Sequence, residues 1–124
     1  MYAILCVIED PAKQQALSLI LRSNGYISLS ADSATEAISI TTSCSIDLVV
    51  LDHDLEKINY FELVRALKAI RDVPIISIAS QDSVAWNRES SDLLITYPVY
   101  PPELLRAVEL FCSRKVPVAS SHVA

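Results

Sequence analysis

The amino-acid sequence predicts an α/β fold: a doubly wound, five-stranded parallel sheet with helices on both faces. Three observations carry that expectation. Short apolar runs recur along the chain, and such runs suit strands buried on both sides of a parallel sheet. Segments with helical apolar spacing separate them, and alternation of the two element types implies right-handed crossovers. Two of the runs end in acidic residues, Glu9 and Asp10 after the first and Asp52 and Asp54 after the third. Ligands in sheets of this class sit at the carboxyl ends of the strands.

The elements follow in order. Residues 3–8 (AILCVI) form the first strand. Pro11 suits the first turn of the helix that follows, which carries Ala16, Leu17, Ile20 and Leu21 at helical spacing. Asn24-Gly25 closes it, with Gly25, the only glycine in the chain, in the left-handed position after the cap. Residues 26–30 alternate as a short second strand. Asp32 or Ser33 caps a second helix bearing Ala34, Ala37, Ile38 and Ile40. Residues 46–51 (IDLVVL) give the strongest strand signal. A third helix places Phe61, Val64, Leu67 and Ile70 on one face. Residues 73–79 make the fourth strand, with Pro74 near its start, where a missing N–H is tolerated. Residues 82–90 hold one short helix at most, and residues 93–96 form the fifth strand, ended by Tyr97-Pro98. Leu104, Leu105, Val108, Phe111 and Cys112 define the last helix. Residues 1–113 are expected to form the domain, and 114–124 a frayed, flexible tail.

Composition bounds the function. A chain of 124 residues is one domain long enough to bury a full core. With 52% apolar and 20% charged residues it has the make-up of a globular domain rather than a disordered chain. The formal charge of −5 gives no electrostatic reason to bind nucleic acid or an anionic membrane. Cys6, Cys44 and Cys112 are odd in number and widely spaced, with no CxxC and no Cys/His cluster, so buried thiols in a reducing compartment are expected. Residues 3–8 lack a basic leader, and no apolar run approaches the ~18 residues of a membrane span. The expected location is the cytoplasm.

The topology brings Glu9, Asp10, Asp52 and Asp54 to one edge. Glu9-Asp10 after the first strand, followed by DLVVLDHDL at 47–55, NYFEL at 59–63, VPIISIAS at 73–80 and ITYPVYPPELL at 95–105, resembles the receiver domain of bacterial two-component response regulators. The likeness spans roughly residues 3–112; no single piece is specific, but the ordered set is. It implies a flavodoxin-like three-layer sandwich with strand order 2-1-3-4-5. It also implies that Asp52 is the phosphoryl acceptor, that Glu9 and Asp10 are the metal-binding acids, and that Asp54 lies where a backbone carbonyl completes a Mg²⁺ shell. Hard Mg²⁺ takes oxygen ligands and keeps waters, and phosphoryl transfer depends on positioning and charge neutralisation.

The sequence departs from that family at the switch positions. The hydroxyl residue ending the fourth strand falls on Ala79, with Ser80 one residue on, within reach only through a backbone bulge. The lysine before the proline after the fifth strand is Tyr97, preceding Pro98. A fixed cation beside a phosphoryl group in a partly buried site is worth several kcal/mol, so this is the larger loss. Lys57 is a candidate substitute. The aromatic switch residue of the fifth strand is Leu94, and the stretch between Ala79 and Tyr97 is about one helical turn short, which shortens the fourth helix. His53 is expected to be an exposed loop residue.

The first expectation is therefore a pseudo-receiver, degenerate in phosphorylation, that acts by protein–protein interaction and is not an enzyme. Its surface would be fixed in one state and would use Trp86 and the last helix near Arg106. The implied partner is a sensor histidine kinase or another signalling protein, and a homodimer is left open. The alternative is a conventional regulator phosphorylated on Asp52. A third reading is a small phosphohydrolase, since Asp52-His53-Asp54 resembles the DxD motif of haloacid-dehalogenase-type phosphatases. That motif normally follows a first strand, and the chain has no later lysine or acid pair in the expected context.

Overall fold

The computed structural model describes residues 1–80 and 91–113. Five strands, β1 (Ala3–Val7), β2 (Ile27–Ala31), β3 (Leu48–Asp52), β4 (Ile75–Ala79) and β5 (Leu93–Thr96), form one sheet in the order β2-β1-β3-β4-β5. Every neighbouring pair is parallel, as expected. The helices are α1 (Pro11–Ser23), α2 (Ala34–Ser43), α3 (Tyr60–Ile70) and α4 (Pro101–Ser113). The expected short helix at 82–90, Trp86 within it, and the tail at 114–124 lie outside the described residues. Among the described residues no helix is long and apolar enough to cross a membrane.

The period of two along each strand divides the core into two layers. Ile4 and Cys6 of β1, Leu48 and Val50 of β3, and Ile76 and Ile78 of β4 pack with Leu17 and Leu21 of α1 and Leu104 and Val108 of α4. Leu5, Val7, Val49, Leu51 and Ile75 face the other way, against Ala37 of α2 and Leu63, Val64 and Leu67 of α3. Strands buried on both faces explain the unbroken apolar runs.

Local chemistry sets the element ends. Asp10 caps α1 by accepting the Ala12 N–H at 3.0 Å, with Pro11 in the first turn. Gly25 adopts φ +88°, where a side chain would be strained. Of the two candidate caps for α2, Ser33 is the one used: its Oγ accepts the Glu36 N–H, and Glu36 reaches back to the Asp32 N–H. Asn59 caps α3 through the Glu62 N–H.

Several boundaries differ from expectation. β3 begins at Leu48 rather than 46, because Asp47 turns its carboxylate to the Ala3 N–H at 2.8 Å. β2 runs one residue later, and β4 starts after Pro74. The buried face of α3 is Tyr60, Leu63, Val64 and Leu67, not the expected set, and Phe61 and Ile70 are 52% and 38% exposed. The physical reason is the hydrogen bond between the Tyr60 and Ser77 hydroxyls, which anchors the helix start to β4. Cys6 and Cys112 are buried thiols, but Cys44 is exposed because it is the residue that ends α2.

Candidate functional site

Asp52 is the last residue of the central strand β3 and is only 4% exposed. It shares the parity of Leu48 and Val50, so its side chain lies on the α1 and α4 side of the sheet. The first turn of α1, the end of β3 and the loop after it enclose a cavity of about 380 Å³ lined by Glu9, Asp10, Lys13, Asp52, Asp54 and Lys57, together with Glu56. The four acids named from sequence therefore meet in one place.

Each of these carboxylates is engaged by backbone N–H groups. Glu9 accepts three successive ones from the loop after β3: Glu56 at 2.7 Å, Lys57 at 2.8 Å and Ile58 at 3.1 Å. Asp10 caps α1. Asp52 accepts the Asp54 N–H at 3.0 Å. Asp54 accepts the Ser80 N–H at 2.7 Å. Ser80 therefore serves the pocket through its main chain. β4 is regular to Ala79, which pairs with Thr96, so no bulge moves Ser80 back by one position.

Burial drives the Asp52 carboxyl above its ordinary range. The Asp54 N–H and the Lys13 charge oppose that rise, and the Asp54 and Glu9 carboxylates add to it. Tyr97, just past β5, is raised too, first by burial and then by the charges of Asp52, Asp54 and Asp10. Its hydroxyl is buried and faces the Asp52 carboxylate without completing a full hydrogen bond, while the Lys13 ammonium lies 4.2 Å from its ring centroid. Lys13 was not marked by the sequence reading, although it stands one helical turn after the capping Asp10. Lys57, the substitute suggested by sequence, lines the cavity but is exposed and is not among the charges that move Asp52.

The remaining candidates lie around this centre. Leu94 is half-buried on β5, opposite Ser77. Pro98 follows Tyr97 through a cis peptide bond. Arg106 is exposed on α4. His53 is not the exposed loop residue expected: its ring rests on Tyr60 at 4.5 Å between centroids, and its Nδ1 is 3.9 Å from Asp54. Tilted contact with the anchored Tyr60 half-buries it. Among the described residues no three acid, imidazole or thiolate groups converge into a metal shell. Asp10 and Asp52 do line one cavity, and two carboxylates fit a hard divalent cation that keeps most of its waters.

Comparison with known proteins bears on this arrangement. The family model for the response regulator receiver domain matches residues 4–108. The DNA-binding response regulator MtrA of Mycolicibacterium smegmatis is 28% identical over 109 residues, which are 85% of this chain and 48% of MtrA. The chain thus spans about half the length of that relative. An uncharacterized 14.6 kDa protein in the sodA1 3′ region of Leptolyngbya boryana is 32% identical over 116 residues, 88% of each chain. A receiver domain from Clostridium thermocellum superposes with a TM-score of 0.84 at 23% identity, covering 95% of this chain and 99% of that one. The receiver domain of the sensor histidine kinase PA1611 from Pseudomonas aeruginosa, with magnesium coordinated in its active-site cleft, gives 0.78 at 20% identity, covering 90% and 98%.

Proposed function

The chain belongs to the family of response regulator receiver domains, and from that membership we propose that it is a two-component signalling module acting through protein–protein contact, in which Asp52 is a weakened phosphoryl acceptor. One observation carries the proposal. A half-buried phenol, Tyr97, with its hydroxyl buried, stands beside Asp52 where the resemblance calls for an ammonium. A phenol donates one hydrogen bond and brings no charge, so it neutralises less of the charge carried by a phosphoryl group. Ala79, also buried, offers no hydroxyl. Both substitutions lower the rate without removing the nucleophile.

The residues divide the work as follows. Asp52 presents the attacking oxygen, held by the Asp54 N–H. Glu9 fixes the loop that covers the cavity. Asp10 and Asp52 are the groups that would hold Mg²⁺, which supplies positive charge to phosphoryl oxygens. Leu94 has no ring to turn and Ala79 no hydroxyl to pull, so the surface around β5 and α4, with Arg106, is proposed to stay in one state. The partner is proposed to be a histidine kinase or another signalling protein, and the location the cytoplasm.

The test is incubation with acetyl phosphate and Mg²⁺, followed by intact mass. Wild type is expected to label slowly, and the Tyr97→Lys, Ala79→Thr double variant at least about tenfold faster. Equal rates would overturn the proposal in favour of a conventional regulator. Phosphate release over many turnovers would favour the phosphohydrolase reading.

A further inference from the structure

We propose that Lys13, seated on the Tyr97 ring, is the cation of the phosphoryl-acceptor pocket, delivered from α1 instead of from the end of β5. The assignment rests on the reading of Asp52 as acceptor and says which side chain sustains it. Three independent features support it. The Lys13 Nζ lies 4.2 Å from the Tyr97 ring centroid, close enough for the ring face to hold an ammonium in place. Lys13 lines the same cavity as Asp52, and its half-buried position on the first turn of α1 faces the side of the sheet to which Asp52 points. The Tyr97 hydroxyl is buried there, facing Asp52 without a full hydrogen bond. Tyr97 therefore has two uses: its face seats the ammonium, and its hydroxyl is a donor aimed at the Asp52 side of the pocket.

The chemistry is direct displacement. A carboxylate oxygen of Asp52 attacks the phosphorus of a small acyl phosphate. The bond from phosphorus to the acyl oxygen breaks, and the carboxylate leaves as an anion, so no proton is needed. The added negative charge on the Asp52 side is met by the Lys13 ammonium and the Tyr97 O–H. Lys57 does not fit this role, being exposed and absent from the charges felt by Asp52.

Two measurements test the assignment. In acetyl phosphate labelling, Lys13→Met is expected to fall at least about tenfold below wild type. Lys13→Arg should remain close to wild type, since a guanidinium also stacks on an aromatic face. Tyr97→Lys placed in the Lys13→Met background should restore labelling. The second measurement is the affinity for Mg²⁺ alone, read by thermal shift. Removing a like charge from the cavity should tighten Mg²⁺ binding about threefold or more in Lys13→Met, whereas lost packing alone would not. Labelling of Lys13→Met at the wild-type rate overturns the assignment. A wild type that never labels overturns the acceptor reading and the Lys13 assignment with it, whereas a labelling wild type matched by Lys13→Met overturns the assignment alone.

Discussion

Glu9 Oε2 accepts the backbone N–H of Lys57 at 2.8 Å, and the neighbouring N–H groups of Glu56 and Ile58 close on the same carboxylate. The acid that the family resemblance assigns to metal thus also ties β1 to the loop after β3. Bonds of this kind to a charged acceptor contribute about 1.5–3 kcal/mol each when well shielded, and less at a wet site such as this. Glu9→Ala is expected to cost about 1–2 kcal/mol in denaturant unfolding and to abolish hydrogen-exchange protection at residues 56–58. Unchanged protection there would show that the loop holds itself.

Divalent cations should stabilise the fold. At a hundred times the dissociation constant the gain is about 2.7 kcal/mol. Asp10 complicates the control because it also caps α1. Asp10→Ser keeps a capping oxygen and removes the charge, so its melting temperature without metal should stay near wild type while its response to Mg²⁺ shrinks. An equal response in both proteins would remove Asp10 from the metal site.

Stability should fall as pH rises through the titration of Asp52. Burial raises its folded-state pKa above the unfolded value, so the native state binds the proton more tightly than the unfolded chain. Between the two values the slope of unfolding free energy with pH is negative. The contribution is fully present below the unfolded value and is lost above the folded one. Asp52→Asn, which can still accept the Asp54 N–H, should raise the melting temperature near neutral pH and have little effect in acid. A destabilised Asn variant at neutral pH would contradict this.

Tyr97→Phe removes a buried hydroxyl that faces Asp52 without completing a full hydrogen bond. Leaving such a group unsatisfied costs about 1–3 kcal/mol, and the ring that seats Lys13 is retained. The variant should match or exceed wild type in thermal stability while labelling more slowly at Asp52. A clear loss of stability would mean that the hydroxyl is satisfied in solution.

Partner affinity should be nearly independent of the acidic pocket. Asp52→Ala and Asp52→Glu are expected to bind a cognate partner within tenfold of wild type. A larger change would mean about 1.4 kcal/mol or more of coupling, and a working switch.

The order of elements, the parallel sheet and the meeting of Glu9, Asp10, Asp52 and Asp54 could all be read from apolar runs and from the acids that end them. Three features could not. The Glu9 clamp uses main-chain donors of residues 56–58, and side-chain identity does not encode which backbone groups a loop exposes. Lys13 lies in a helix whose periodicity marks only apolar positions, and its meaning appears once Tyr97 is brought opposite by the crossover to β5. The face of α3 was misassigned because Phe61 and Ile70 fit helical spacing as well as Tyr60 and Leu63 do. Contacts distant in sequence, the Tyr60–Ser77 hydrogen bond and the packing of Leu63, Val64 and Leu67 on the sheet, select one face.

The end of the sheet away from the pocket has its own acids. Asp47 accepts the Ala3 N–H, and Asp92 accepts the Ile75 N–H while pairing with Lys68 at 3.0 Å. Each lies just ahead of one strand and grips the first residue of the next strand over. These grips act as alignment pins. Sliding β3 by one residue would exchange its two faces and turn Asp52 toward α2 and α3, away from Lys13 and Tyr97. Asp47 thus helps choose the side of the sheet on which the nucleophile stands, from the opposite rim of the molecule and without touching the pocket.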